Sequence, residues 1–334
     1  MSDATVIAAR EGRIGRLVLN RPKALNALDL DMIRALHTAL SAWRDDPHVH
    51  AVVIDSASER AFCAGGDIRA IRAAALAGDS ATIERFFGEE YALNLAIAEH
   101  PVPYVALIDG ICMGGGIGVS VHGAIRATTE QGNFAMPETA IGMVPDIGST
   151  FVLPRLPGAL GVFLGLTGTR LSGADAVHAG LATHFVPRAA LAALRAALPH
   201  EGVAAVAAHA ERLPPFSLAP QRAAIDRCFG ADTVPEILAR LSAEGTDWAR
   251  ATLATLRSMS PSSVCWSFAA IRRGADLRLP DALAAELRMT RHVTQHPDFA
   301  EGVRAVVVDK DRQPRWSPAT IEEVDPARIA AMLD

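Results

Sequence analysis

"GICMGGGIGVSVHG", residues 110–123, decides how this chain is read. Three consecutive glycines, Gly114 to Gly116, separate two apolar runs, and no lysine, histidine or cysteine stands where a phosphate or metal site would want one. "YVALIDG", residues 104–110, reads as a strand, so the glycines follow a strand and open a helix. A phosphate loop needs Gly-Lys-Ser/Thr, which is absent, and a dinucleotide fingerprint begun at Gly114 would need its third glycine where Val119 stands. A nucleophile elbow fails as well, because "GVSVH" has His122 in place of the final glycine. Two readings remain. The first amides of a helix have no intrahelical acceptor, and absent side chains let an anionic oxygen reach them, so the turn is an oxyanion-hole candidate. The same glycines also suit close packing of a helix on a sheet.

"AFCAGGDIRAI", residues 61–71, strengthens the first reading: it is another glycine turn after a strand, with Asp67 placed to cap the helix that follows. Two such turns on neighbouring strands could aim two N–H groups at one oxygen, which implies chemistry at a carbonyl or thioester. Further out, "IGRLVLN" and "AVVIDS" read as strands, and "LDMIRALHTALSAW" between them carries Met32, Ile33, Leu36, Leu40 and Trp43 at helical spacing. The stretch from about Thr82 to Glu99 is helical too. That alternation predicts an α/β core over residues 1–200. After about residue 190 strand signals thin out, Pro214, Pro215 and Pro220 punctuate the chain, and residues 201–334 read as a mainly helical C-terminal region.

With 334 residues, half of them apolar, the chain can bury a sizeable core. Its net charge of −5, with both signs mixed along the chain, contains no tract suited to nucleic acid, and no uncharged apolar run reaches membrane-spanning length. Asp3 and Glu11 stand where a targeting peptide would be basic, so the expected compartment is the cytoplasm. Cys63, Cys112, Cys228 and Cys265 lack zinc-site spacing and read as reduced, mostly buried thiols.

"NRPKALNAL", "AFCAGGDI", "GICMGGGIG" and "FAMPETAIGMVPDIGSTFVLPRL", in this order, resemble the enoyl-CoA hydratase/isomerase (crotonase) superfamily. Within it, the run from "FFGEEYALNLAIAEHPVPYVALIDG" through "PETAIGMVPDIG" to "EGVRAVVVDKDRQPRW" is similar to the 3-hydroxyisobutyryl-CoA hydrolases, over nearly the whole chain. The resemblance implies a crotonase-like spiral of ββα units that binds an acyl-CoA, with the thioester oxygen held by the amides of Gly66 and Gly115 beside Gly65 and Gly114. It implies no metal and no cofactor, since CoA is part of the substrate. The hydratases carry a glutamate three residues beyond the second oxyanion glycine; here that residue is Gly118, on the same helix face as Gly115 and without a proton to offer. The other hydratase glutamate matches Glu138, and Asp146 supplies a carboxylate that the hydratases lack, a pair that the resembled hydrolases share.

From the residues alone, Pro137, Gly142 and Pro145 argue that Glu138 and Asp146 lie on a loop folded back on itself, and capping or salt-bridging roles remain open to both acids. Their neighbours Ala135, Met136, Ile141, Met143 and Val144 are apolar, so at least one carboxylate is expected to be desolvated. The resemblance makes Glu138 the group that activates water or attacks the carbonyl, Asp146 the group that orients water or the leaving group, and Glu90, beside Glu89, the partner of the substrate hydroxyl. Arg21 and Lys23, after the first strand of this pattern, are candidate contacts for the nucleotide end of CoA. Ser120 beside His122 reads as a small packed residue rather than a nucleophile, and His178 and His184 read as structural. The expected reaction is hydrolysis of a short β-hydroxyacyl-CoA, as in valine breakdown. An enoyl-CoA lyase or isomerase and a non-catalytic acyl-CoA binder are the alternatives. Association of copies into a homo-oligomer, or a C-terminal region covering the site within its own subunit, both stay open.

Overall fold

The computed structural model describes residues 4–333. Contacts divide the chain into two compact units: one is Met1–Asp67, Glu89–Phe134 and Arg170–Ser217, the other Ile68–Gly88, Ala135–Thr169 and Leu218–Asp334. A single cut at residue 200 therefore does not reproduce the division. Segments 68–88 and 135–169 carry faces that pair with the C-terminal helices: Arg72 Nε donates to Ala300 O at 2.7 Å, and a Cβ on Gly302 would lie 2.4 Å from Ile141 C.

The first unit holds a six-stranded sheet in the order Val6–Glu11, Ile14–Leu19, Ala51–Ser56, Tyr104–Ile108, Ile125–Thr128, His184–Phe185. Its first two strands form an antiparallel hairpin and the rest run parallel. Parallel strands covered on both faces need continuous apolar runs, which is how "AVVI" and "YVALI" are written and why every residue of both is buried. Val53, Val105, Leu107 and Ala127 pack under Leu191, Leu194 and Leu198 of the helix Leu191–Glu201. The helix Leu30–Trp43 starts where Asp29 accepts the amide of Met32 at 2.9 Å, and it buries Met32, Ile33, Leu36 and Leu40.

A second, four-stranded sheet orders Ala61–Cys63, Ile111–Met113, Asn133–Ala135 and Leu171–Ser172. Its first two strands are parallel, with Cys63 opposite Cys112. Both strands therefore leave the sheet at the same end, and both enter their glycine turns there.

The second unit is mainly helical, including Arg222–Phe229, Val234–Glu244, Asp247–Ser258, Pro261–Gly274, Leu279–Val293 and Pro297–Val303. The helix Leu160–Thr167, "LGVFLGLT", is apolar all round and buried at every position, as an element enclosed by other helices must be. Against these helices lies an irregular run containing the 3-10 turn Glu138–Ile141 and the short helix Ser149–Val152. No helix among the described residues is long and apolar enough to cross a membrane.

Candidate active site

In the first unit the two glycine turns meet. A Cβ built on Gly115 would lie 3.2 Å from Gly66 N and 3.3 Å from Gly65 C, and one on Gly65 would lie 3.8 Å from Gly115 N. Any side chain at 115 would therefore sit over the Gly66 amide. Gly65 holds φ 112° and Gly114, just before the helix Gly115–Val121, holds φ 46°, conformations that L side chains rarely adopt. Gly116 has the other function considered for these glycines: a Cβ there would strike Cys63 O at 2.3 Å, so its bareness serves close packing. Within one glycine run, then, Gly116 serves packing while the bare backbone at Gly115 leaves the Gly66 amide uncovered.

Glu90 and Glu89 separate cleanly. Glu89 is bound by Arg34 through two contacts, 2.7 and 2.8 Å. Glu90 is buried, and its Oε1 lies 2.6 Å from the position that a Gly115 Cβ would take, so it is Glu90 rather than Glu89 that reaches the glycine turns. Segment 25–28 runs alongside the first glycine turn: Leu28 N donates to Gly65 O at 2.8 Å and Ala64 N to Leu25 O at 3.0 Å. Lys23, in the 3-10 turn Pro22–Ala24 just before this segment, is exposed and without an ion pair among the described residues. Arg21 is already engaged within the protein. Its guanidinium donates to Asp67 at 3.2 Å and to Ala27 O at 2.9 Å, and lies 3.5 Å from Asp29, so it braces the turn. Asp67 is the partner in that brace.

Ser120 Oγ donates to Gly116 O and Ile117 O at 2.9 and 3.0 Å, the arrangement of a packed helical serine. Ser120→Ala is accordingly expected to keep full turnover in a thiol-release assay, and a large loss would return Ser120 to the list of reacting groups. His178 bonds Pro214 O at 2.8 Å and stacks on Phe216, while His184 bonds Thr183.

In the second unit Glu138 and Asp146 are 5% and 6% exposed. Glu138 opens the 3-10 turn, its carbonyl accepting the amide of Met143 at 2.9 Å, and Gly142 closes the turn in the left-handed region. The chain thus folds back, as the prolines and glycine suggested. Glu138 Oε2 is buried with no hydrogen-bond partner among the described residues. Burial, and then the charge of Asp146, raise its pKa well above that of an ordinary carboxyl. The turn is clamped from the C-terminal helices: Ser260 N donates to Thr139 O at 3.0 Å, Ser260 Oγ donates to the buried Asp298 at 2.6 Å, and a Cβ on Gly142 would strike Asp298 O at 2.3 Å. Ser260 and Asp298 carry no local sequence signal that ties them to residue 138.

Comparison with known proteins gives the family. A relative from Xenopus laevis named 3-hydroxyisobutyryl-CoA hydrolase, mitochondrial, is 45% identical over 97% of this chain and 87% of its own length. The Homo sapiens protein of the same name is 44% identical over 96% of this chain and 86% of its own length. A crystal structure from Mycobacterium thermoresistibile, described as a carnitinyl-CoA dehydratase, superposes with a TM-score of 0.95 at 42% identity, covering 99% of this chain and 97% of that one. The family described as enoyl-CoA hydratase/isomerase matches residues 14–333. This chain, with its crotonase-type α/β fold, belongs to the enoyl-CoA hydratase/isomerase family.

Proposed function

We propose that the protein hydrolyses the thioester of 3-hydroxyisobutyryl-CoA, or of a similar short β-hydroxyacyl-CoA, to the free hydroxy acid and CoA. The observation that carries this reading is the buried acid pair: Glu138 has an unpartnered oxygen and a raised pKa, beside a second buried acid, Asp146. The names of relatives at 44–45% identity support the substrate. In the reaction, the amides of Gly66 and Gly115 take the charge that develops on the thioester oxygen. Glu138 either takes a proton from attacking water or attacks the carbonyl itself, and both routes need an ionised, poorly solvated oxygen. By the first route the C–S bond then breaks and the CoA sulfur leaves with the proton that Glu138 took from water; by the second the C–S bond breaks to leave a mixed anhydride on Glu138 and a CoA thiolate, and water then cleaves the anhydride, freeing the hydroxy acid, restoring the Glu138 carboxylate and giving a proton to the thiolate. Asp146 orients water or the leaving group, and Glu90 accepts the substrate hydroxyl. Cytoplasmic residence, a place in valine breakdown and self-association belong to this proposal; the names of the relatives place those proteins in mitochondria.

The dehydratase description of the Mycobacterium thermoresistibile neighbour favours a second reading, elimination or hydration on an enoyl-CoA. Against it, Gly118 offers no acid one helical turn beyond Gly115. Incubation with 3-hydroxyisobutyryl-CoA separates the two: free thiol without enoyl absorbance supports hydrolysis, and enoyl absorbance without thiol overturns it. Tight acyl-CoA binding with no turnover across short-chain thioesters would instead mark a non-catalytic binder. Lys23 is proposed to meet the CoA phosphates, so Lys23→Ala should weaken inhibition by free CoA about two- to fivefold, the worth of one exposed charge contact. Unchanged inhibition would remove Lys23 from the CoA site.

A further inference from the structure

The helix Leu279–Val293 buries Leu283, Met289, Thr290 and Val293, and among them Glu286, which is 0% exposed. A carboxylate at that depth is costly unless donors surround it. Three do. Gly148 N–H donates to Oε2 at 2.7 Å, while the Thr150 amide and hydroxyl donate to Oε1 at 2.9 and 2.6 Å. All three donors belong to the turn that carries Asp146.

That turn does not hold its shape by local preference. Ile147, the residue after Asp146, has φ 59°, a left-handed conformation that a β-branched side chain adopts only under external constraint. Gly148 follows at φ 80°, and its amide and that of Thr150 lie at the start of the helix Ser149–Val152, where intrahelical acceptors are missing. Glu286 supplies those acceptors from an element 138 residues later in the chain. Glutamine could offer one acceptor atom to three donors, which explains an acid here in spite of its depth. The two acids also sense each other: burial pushes the Glu286 pKa up to about 8, and the charge of Asp146 contributes to that rise.

We propose that Glu286 is a positioning residue, whose buried carboxyl group holds the strained turn at Ile147 so that Asp146 presents its side chain to the reaction. This rests on the reading of Asp146 as a participant in thioester hydrolysis. Glu286 touches no reacting atom and acts through Asp146.

The test is a double-substitution cycle in the full chain, read as kcat and KM for thiol release from 3-hydroxyisobutyryl-CoA, with thermal melts as a check on folding. Glu286→Gln is expected to lower kcat about 10- to 100-fold with little change in KM, the effect of a reacting group displaced by a fraction of an ångström to an ångström. In an Asp146→Asn background the same substitution should have almost no further effect, because the group it positions is already disabled. Losses that multiply, or a Glu286→Gln protein with the kcat of the parent, overturn the proposal while leaving the hydrolase reading intact. If Glu286→Gln does not fold, Thr150→Val, which removes one of the three donors at nearly constant volume, takes its place. A smaller kcat loss that vanishes in the Asp146→Asn background supports the positioning role, and parental kcat overturns it. A parent protein that releases no thiol at all overturns the hydrolase reading itself, before any variant is compared.

Discussion

Glu138→Gln is expected to leave a folded protein whose kcat for thioester hydrolysis is lower by about 10²–10⁴, the usual contribution of a positioned base. Glutamine matches the shape of the side chain but can neither take a proton from water nor form an acyl adduct. Folding should not suffer, and the sign of the pKa shift says why. A carboxyl whose pKa is raised on folding contributes stability while it is protonated and loses that contribution as pH rises through the raised value. Above the ordinary carboxylate range the parent therefore bears the cost of keeping Glu138 protonated or, at higher pH, of burying its charge, a cost the glutamine variant does not carry. Its melting temperature at pH 8 should equal or exceed that of the parent.

The same shift sets the pH profile. Glu138 works only when ionised, so the rate should fall on acidification along a limb displaced above the ordinary carboxylate range. Asp146→Asn removes the neighbouring charge that raises the Glu138 pKa, after burial itself, so the limb should move to lower pH even as the maximal rate drops. Near-parental hydrolysis by Glu138→Gln would take Glu138 out of the mechanism. An acid limb that stays in place in Asp146→Asn would show that the two carboxyls do not act on each other.

Gly115→Ala should cost about 10²–10³ in kcat, the loss of one oxyanion donor. The added methyl would lie 3.2 Å from the Gly66 amide nitrogen and 2.6 Å from Glu90 Oε1. The closer neighbour is the end of a flexible side chain, which can rotate away, so the fold survives. The methyl then stands over the amide that the substrate oxygen needs. Gly116→Ala is the contrasting control: its methyl would meet Cys63 O at 2.3 Å, backbone that cannot yield, and it should reduce stability by about 1–3 kcal/mol or more. Undiminished kcat in Gly115→Ala would exclude the paired-amide site.

Much of this arrangement is legible along the chain. The helix 30–43 and the strands at 14, 51 and 104 follow from apolar spacing and a capping aspartate. The folded-back loop at 138–146 follows from Pro137, Gly142 and Pro145. The short strands of the second sheet are less legible, because two or three residues carry no period. The contact units also differ from the cut at residue 200 that composition suggests, because segments 68–88 and 135–169 group with helices far along the chain, as in the Arg72 Nε to Ala300 O hydrogen bond. Arg21 is a candidate phosphate contact by its charge alone, and its partner Asp67, 46 residues away, has no local signal to announce it. Glu286 did leave a trace, an acid in the buried stripe of Leu283, Met289 and Val293, which amphipathic spacing alone marks as out of place.

By itself, the sequence determined the α/β core, the two bare turns after parallel strands and the acids at 138 and 146, because these depend on stereochemistry within a few neighbouring residues. Tertiary structure alone decided which of two adjacent glutamates reaches the glycines, how far Glu138 is stripped of water, and what holds the turn at Asp146. Those outcomes depend on desolvation and on hydrogen bonds between groups as many as 138 residues apart, and no local pattern records either.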